Sequence, residues 1–538
     1  MTDSLDERLL DVLAAQVASQ LQVHDVQALG QTCHQLRRLV QDDIPGSSWR
    51  RSAELSFPPG HPVFSVPEQH IPRELSRLAA VHEALNKGKV AALLELSIWQ
   101  GTADEPCASS FNQAGDLLIE KRGDLLVMSR LTEEGSRISR QQLWSIAAPD
   151  APHTWWHLAC NFVFSPDDAL VAVLYTPYDD SYAPHLNVEA EPQEEVWDRL
   201  FLLHVGTRTL HHVASTPEFH DIGDLLLMQE AQFSPNSELL LVPWIAYLEN
   251  AASARIELYS CSNYQRLCLV TFAAFGPEVH RSAFSPNSRQ FATAWPGQFH
   301  VHTVEGLLDK QQLVPGVMSL EPGQDQAQLI DWSACGSHLS YWSSGLEAIF
   351  VYETENYALL ASIRIPTHCV TCSGMDFGLS ALVHASWSRD RLAVAVLTLH
   401  DTQASRRQLD LVAMTRQATF DDIPNHPRGI EADMPAWCTG AWTCMSPDGC
   451  FAAVSGPGCR IAVYACHSPE RVLYMEFAGP QFELLPVAVL QHVVQMDWVQ
   501  DGSAIMVHCN AESYHLEAPT GRLRTDFHDW LMLIKFIA

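Results

Sequence analysis

The chain has 538 residues, of which 47% are hydrophobic and 18% are charged, a composition typical of folded globular proteins. Lys and Arg number 33 against 63 Asp and Glu, which gives a formal net charge of −30. Such an acidic surface repels nucleic acid and anionic lipid, and we therefore expect neither as a partner. The sequence shows no signal peptide and no run of 18 apolar residues, which predicts a cytoplasmic or nuclear protein without membrane association.

The first fifty residues contain two helical patterns. Apolar residues recur every four positions from Leu9 to Leu21, which predicts a helix with one apolar face. A second helix is predicted after Asp25, a suitable N-cap residue, with Arg37 and Arg38 near its C-terminal end. Two such short helices cannot bury their apolar faces within their own unit, so we expect these faces to form an interface.

A proline-spaced linker and a helix follow this unit. Five prolines lie between positions 57 and 72, and Arg73 to Leu85 read as a helix that ends at Gly88. The predicted domains are therefore a helical domain over residues 1–52, a linker and helix over 53–89, and a third domain over 90–538.

A short phrase recurs throughout this third domain. An aromatic or apolar residue is followed by a small polar turn and then by a run of apolar residues, which predicts two strands joined by a tight turn. Clear copies begin at Phe164, Phe233, Phe284 and Met445, and looser copies begin at Phe111, Trp332, Trp387 and Trp498. Starts spaced by 48 to 69 residues are typical of one four-stranded blade per repeat. The predicted fold is thus a small all-α unit followed by an all-β propeller, with eight blades favoured and seven possible.

The N-terminal helices resemble an F-box. The match runs from Leu9 to Val40 without a gap, although Leu10 replaces the proline usual in that family. The repeats are similar to the WD-repeat superfamily in the turn from Met445 to Gly449, but the name-giving Trp-Asp ending is missing.

An F-box followed by a propeller resembles the substrate receptors of Skp–cullin–F-box ubiquitin ligases. The resemblance implies a non-enzymatic protein that binds a Skp-type adaptor, and through it a cullin scaffold, while the propeller binds a protein substrate. Other subunits would then perform the chemistry, and no cofactor or metal is expected. The adaptor-binding residues implied by the resemblance are Leu9, Leu10, Leu13, Val17, Leu21, Val26, Leu29, Cys33 and Leu36. The alternatives are a propeller scaffold with no ligase role and, third, an enzyme with a propeller active site.

Four aromatic residues form a candidate substrate-binding face. Tyr175, Trp244 and Trp295 each lie eleven residues after the leading aromatic of their copy, and Trp342 lies one residue earlier in its own. These positions mark the end of the second strand, and aromatic residues often dominate binding interfaces. The alternative interpretation is packing between adjacent blades.

Two further features have a functional and a plain interpretation. Residues 176–199 carry seven acidic residues against Arg199, and this insert is either a docking site for a basic segment or a solvated loop. Cys369 and Cys372 have the spacing of zinc ligands, but the sequence contains no second CxxC to complete a structural zinc site. A Gly-x-Ser-x-Gly nucleophile motif and a phosphate-binding loop are also missing.

Overall fold

A computed structural model describes residue 67 and residues 71–537 apart from a set of gaps. The predicted F-box-like domain therefore lies outside the described residues. The gaps cover residues 103–107, 124, 136, 149–157, 178–198, 216–224, 229–230, 249–250, 275–280, 296–297, 306–326, 335, 344–347, 365–371, 378–380, 389–390, 399–415, 420–441, 448, 457–459, 467–470, 477–487, 500–501 and 518–521.

The described residues form one α-helix, α1, and eight antiparallel sheets. Helix α1 spans Ile71–Asn86 and is followed by strand β1, Ala92–Thr102. Blade 1 contains β2 to β5, blade 2 contains β6 to β9, and blade 3 contains β10 to β14, in which β10 and β11 both pair with β12. These strands are Ala108–Phe111, Leu117–Arg122, Leu125–Glu134 and Arg137–Ala147; Leu158–Phe164, Leu170–Pro177, Arg199–His204 and Thr209–Ser215; and Leu225–Met228, Gln232–Phe233, Leu239–Leu248, Ala251–Ser260 and Arg266–Ala274.

Four more blades and a closing sheet complete the fold. Blade 4 has three described strands, β15 to β17, and blades 5, 6 and 7 have four each, β18 to β21, β22 to β25 and β26 to β29. These strands are Arg281–Phe284, Gln290–Trp295 and Gln298–Thr303; Ala327–Trp332, His338–Ser343, Ala348–Glu353 and Leu359–Arg364; Cys372–Phe377, Ala381–Ser388, Arg391–Thr398 and Arg416–Thr419; and Thr443–Met445, Phe451–Gly456, Arg460–Ala465 and Arg471–Glu476. The closing sheet has the order β1-β32-β31-β30, and its C-terminal strands β30 to β32 are Ala488–Val499, Ala504–Glu517 and Arg522–Lys535.

The sheets are arranged as a propeller. The first strand of each sheet lies beside the first strand of the next, from β2 through β6, β11, β15, β18, β22 and β26 to β30. Each of the seven blades contains consecutive strands and one copy of the repeated phrase, and the closing sheet contains the copy that begins at Trp498. The predicted all-β propeller is therefore confirmed. The favoured count of eight blades is wrong and the alternative of seven applies, because the eighth copy of the phrase lies in the sheet that closes the ring.

Both ends of the described chain meet in the closing sheet. β1 pairs with β32 in antiparallel register from Ala92 opposite Lys535 to Thr102 opposite Asp526. On the other side of this sheet, Gln495 in β30 bonds to blade 1: its Oε1 accepts the Phe111 N–H at 3.3 Å, and its Nε2 donates to the Phe111 carbonyl at 3.1 Å. The Gln495 side-chain amide thus bonds to both the N–H and the carbonyl of Phe111, and this contact joins the closing sheet to blade 1.

The repeated phrase folds into the same turn in each clear copy that the structure describes. In blade 2, the Leu170 N–H donates to Ser165 Oγ at 2.9 Å and the Asp168 N–H donates to the Ser165 carbonyl at 2.9 Å. Asp168 has a φ of +57°, the left-handed conformation, and lies in the four-residue loop between the paired residues Ser165 and Leu170. Proline at the second turn position supplies the φ that a type I turn needs, which explains the Ser-Pro-Asp pattern.

One looser copy differs from the prediction. Trp387 lies on β23, the second strand of blade 6, so the copy joins the second and third strands rather than the first and second. This copy lacks the Ser-Pro pair, and its loose pattern predicts a strand but not which strand of the sheet it is.

Tryptophan at the start of a copy joins neighbouring sheets. Trp332 Nε1 donates to the Ala283 carbonyl of blade 4 at 3.0 Å, and Trp498 Nε1 donates to the Cys444 carbonyl of blade 7 at 3.1 Å. Each acceptor is the residue just before the leading residue of the preceding copy. An indole N–H therefore satisfies a main-chain carbonyl across the seam between two sheets, which an aromatic ring without a donor cannot do.

Helix α1 packs on the propeller. Val81 and Leu85 are buried in a cluster with residues of blade 7 and the closing sheet, among them Phe451 and Trp498. The His82 and Phe451 rings lie 5.0 Å apart in an edge-to-face arrangement. Gly88 ends the helix as predicted, with its N–H donating to the Leu85 carbonyl and a φ of +61°. The helix is thus anchored to blade 7 and does not act as a free-standing spacer.

Replacement of Gly88 by alanine tests this anchored helix end. Gly88→Ala places a Cβ 3.0 Å from the Val472 carbonyl oxygen in addition to straining a left-handed residue. Gly135→Ala is the matched control, because Gly135 has a φ of +64° but no atom within 4 Å of the added Cβ. We expect the control to lose about 1–2 kcal/mol of unfolding free energy and Gly88→Ala to lose clearly more, measured by urea unfolding. Equal losses would show that the contact with blade 7 contributes nothing.

Candidate functional site

The predicted aromatic residues lie in the second halves of second strands, and of the three only Trp295 is the last residue of its strand. Strand direction alternates within each blade, so the second strands end at the opposite face of the propeller from the Ser-Pro turns. Tyr175, Trp244 and Trp295 each occupy the sixth position of their strand, in β7, β12 and β16 of three consecutive blades. The fold therefore brings three residues that are far apart in sequence to equivalent places on one face.

Arginine accompanies two of these aromatic residues. Tyr175 lies opposite Arg199 of β8, and Trp244 lies opposite Arg255 of β13. Arg and aromatic residues are the residue types most enriched in binding hot spots. The sequence did not indicate either arginine. Which residue of the third strand lies opposite each aromatic residue depends on the strand register, and the loop between the second and third strands varies in length from blade to blade.

Trp342 does not belong to this face. Its side chain has 0% exposure, and every residue of its strand β19 is buried. Trp342 is the fifth residue of its strand rather than the sixth, so it does not occupy the position that Tyr175, Trp244 and Trp295 share. Its assignment to the binding face is therefore wrong, and the alternative of packing inside the propeller applies to this residue.

The predicted adaptor-binding residues lie outside the described residues. They remain a prediction from the sequence pattern alone. Leu9, Leu10, Leu13, Val17, Leu21, Val26, Leu29, Cys33 and Leu36 form this set.

A polar cluster that the sequence did not predict lies at the seam between the closing sheet and blade 1. His508 and Asp529 are each 2% exposed, and His508 Nε2 lies 3.1 Å from Ser109 Oγ and 3.9 Å from Asp529 Oδ1. Asn510 Nδ2 donates to the same Asp529 oxygen at 2.5 Å. Ser109 and Asp529 approach the same imidazole nitrogen, whereas a nucleophilic triad needs the carboxylate on the other one. The cluster is thus a structural join between sheets.

A buried carboxylate strengthens the same seam. Glu120 Oε1 accepts a hydrogen bond from Arg140 Nη1 at 2.8 Å, and both Glu120 oxygens accept from Arg122 Nη2 at 2.9 Å. Arg140 Nη1 also approaches the Ile98 carbonyl of β1 at 3.4 Å. Burial raises the pKa of the Glu120 carboxyl, while the two guanidinium groups oppose that shift. An ion-pair network that reaches from blade 1 to β1 holds the closing strand in place.

Neither a metal site nor a membrane span is found among the described residues. No group of three or more His, Cys, Asp and Glu side chains there is arranged to hold a metal ion. Within the same part of the chain, no helix has the length and apolar character needed to cross a bilayer.

Comparison with known proteins finds similarity only among solved structures, since no family model and no curated protein matches the chain. The C-terminal WD40 domain of Sif2 is 11% identical, covers 82% of this chain and 99% of its own, and gives a TM-score of 0.46. The β-propeller domain of Myceliophteria thermophila Cps50 (Swd1) is 12% identical, with coverages of 70% and 96% and a TM-score of 0.39. Kluyveromyces lactis Hsv2 is 10% identical, with coverages of 79% and 97% and a TM-score of 0.37. With such low values these similarities support no transfer of function, and the propeller assignment depends on the sheets and their contacts.

Two variants with tryptophan substitutions distinguish surface residues from core residues. We expect Trp244→Ala combined with Trp295→Ala to abolish capture of partner proteins while leaving the melting temperature nearly unchanged. Trp342→Ala should instead lower stability by about 3–5 kcal/mol, because it removes a fully buried indole. Affinity capture with the tagged full-length chain and thermal unfolding measure the two effects. A large fall in melting temperature in the double variant would show that Trp244 and Trp295 are core residues as well.

Burial of His528 beside strand β1 predicts that stability depends on pH. His528 Nε2 lies 3.3 Å from Ser97 Oγ of β1, and burial lowers the pKa of His528 below its ordinary value of 6.5. His528 then binds a proton more readily in the unfolded chain than in the folded one. The stability that neutral His528 contributes is therefore fully present above pH 6.5 and is lost as the pH falls toward the folded-state pKa. We expect His528→Gln to flatten the fall in urea midpoint below pH 6.5 and to change little at pH 7.5. An unchanged slope would exclude His528 as the source.

Proposed function

We propose that this chain is a non-catalytic substrate receptor of a Skp–cullin–F-box ubiquitin ligase. Its N-terminal helices bind a Skp-type adaptor, and its propeller binds the protein that is ubiquitylated. The observation that carries the proposal is the order of the two units: an F-box-like pattern over residues 9–40 precedes a propeller that begins at β1. A receptor of this kind supplies proximity and specificity, so it needs two binding surfaces and no catalytic residues.

Helix α1, which connects the predicted adaptor-binding region to the propeller, supports this proposal. α1 ends at Asn86, and β1 of the closing sheet begins at Ala92, so only five residues separate them. Val81 and Leu85 bury the helix against blade 7. The chain therefore enters the propeller through a packed helix.

The aromatic and arginine positions of blades 2 and 3 support the receptor half. Tyr175 is paired with Arg199 and Trp244 with Arg255 between the second and third strands of neighbouring blades, which is an arrangement suited to a protein partner. The acidic insert 176–199 follows β7 in blade 2, so it starts and returns at the same face as these pairs. We expect a substrate segment with basic residues beside an apolar anchor, because such a segment complements both features.

Copurification with a Skp-type adaptor tests the proposal directly. We expect the full-length chain to form a stoichiometric complex, measured by size-exclusion chromatography with light scattering. Leu13→Asp combined with Leu29→Asp should abolish it, because a charged residue on each apolar helix face opposes burial in an interface. Trp244→Ala combined with Trp295→Ala is the matched control and should retain the adaptor.

The runner-up function predicts a different result. A propeller scaffold with no ligase role captures its partner through the same face but forms no complex with the adaptor. Absence of a complex with the unmodified chain would therefore overturn the ligase proposal and leave the scaffold as the better interpretation. A complex that survives the Leu13→Asp and Leu29→Asp changes would show that another surface binds the adaptor.

A further inference from the structure

The fifth position of the repeated turn divides the propeller into two kinds of seam. This residue has a positive φ in each of the seven described turns, between +57° and +86°. Glycine occupies it in blades 1, 5 and 7 and in the closing sheet, as expected for the left-handed conformation. Blades 2, 3 and 4 have Asp168, Ser237 and Ser288 there instead, at φ values of +57°, +60° and +59°.

Each of these three side chains bonds to the turn of the preceding blade. Asn112 Nδ2 of blade 1 donates to Asp168 Oδ2 at 2.9 Å. The Asp167 N–H of blade 2 donates to Ser237 Oγ at 3.2 Å, and the Asn236 N–H of blade 3 donates to Ser288 Oγ at 3.1 Å. The acceptor is always the fifth turn residue of the later blade. The same position therefore performs the same task at three successive seams.

Glycine at this position makes a different kind of seam. A Cβ on Gly115 would lie 2.9 Å from Val499 Cγ1 of the closing sheet, and one on Gly502 would lie 3.1 Å from Pro447 Cδ of blade 7. These turns pack backbone against an apolar side chain of the preceding sheet and carry no side chain of their own to form a hydrogen bond. Gly336 is intermediate, since its Cβ would lie 3.6 Å from Pro286 Cδ, an ordinary contact distance.

The left-handed conformation is unfavourable for a residue other than glycine. That conformation costs an L-residue on the order of 1–2 kcal/mol, and glycine would avoid the cost. The cost recurs at three consecutive seams, and in each a hydrogen bond to the neighbouring blade offsets it. We propose that Asp168, Ser237 and Ser288 are stitches, meaning turn side chains that bond to the preceding blade and hold blades 1 to 4 together as one rigid arc.

The arc has a consequence for the opposite face. Blades 2, 3 and 4 are the blades whose second strands carry Tyr175, Trp244 and Trp295. A stitch at the turn that begins each of these strands fixes the spacing between neighbouring blades and so fixes the relative positions of the strand ends. The stitches act as positioning residues for that face, and their existence does not depend on the proposed ligase role.

Hydrogen–deuterium exchange of the full-length chain tests the stitches without any partner. In Ser237→Ala the strained backbone stays and the acceptor is lost, so we expect exchange at the Asp167 amide to become about fivefold faster, the effect of losing one hydrogen bond. Ser288→Ala should do the same at the Asn236 amide. Ser262→Ala is the matched control, because Ser262 is exposed and its hydroxyl contacts Ser260 within its own turn. Unchanged exchange at both amides in the two test variants would overturn the proposal.

A gain of function provides a second, independent test. Gly336 is the fifth turn residue of blade 5, next to the Pro286-Asn287 turn of blade 4. Ser288 has the equivalent place in blade 4, next to the Pro235-Asn236 turn of blade 3. A Cβ on Gly336 would make no close contact. We expect Gly336→Ser to protect the Asn287 amide by about fivefold relative to Gly336→Ala, because only serine supplies the acceptor. Equal exchange in these two variants would show that the position does not create a stitch and would count against the proposal.

Discussion

Closure of the ring between β1 and β32 is the interaction on which the rest of this propeller depends. Each blade is an open sheet whose two faces are buried only by its neighbours, so no seam is complete until the last sheet meets the first. The closing sheet takes β1 from the N-terminal side and β30 to β32 from the C-terminal side, and its apolar residues pack with Phe111 and Leu118 of blade 1. Contacts between residues some four hundred positions apart bring an entropic cost that grows only logarithmically with loop length, but they make folding slow.

The closing seam contains a notable concentration of polar contacts. Gln495 binds the Phe111 peptide, Ser109 bonds to His508, and the Glu120 carboxylate holds Arg140 near the main chain of β1. Burying such groups is costly unless each is bonded, and directional bonds tolerate only one register. We interpret this seam as the place where register is specified, since a slip of one residue in β2 against the closing sheet would separate Phe111 from Gln495 and Ser109 from His508.

Prediction from sequence succeeded where the structure is local. The Ser-Pro turn forms from five consecutive residues, so its Ser165 hydroxyl, its proline and its left-handed fifth residue are all written within one short segment. The end of α1 at Gly88 was visible for the same reason. Prediction failed at Trp342 and Trp387, where the motif is loose and an offset of one residue or one strand changes what a side chain faces. The sequence gave no indication that the side chains of Ser109, His508 and Asp529 would meet, since no spacing rule connects residues on different sheets.

The sequence alone determined the kind of fold, the repeating unit and the acidic character of the chain, because period, turn chemistry and composition are properties of neighbouring residues. It also provided the F-box-like pattern on which the proposed adaptor surface is based. Only the tertiary structure decided which strand from the N-terminal side completes the last sheet, which turn side chains bond across seams, and which aromatic residues are core. Those outcomes depend on the mutual placement of sheets, and that placement is the combined result of many weak contacts between residues far apart in the chain.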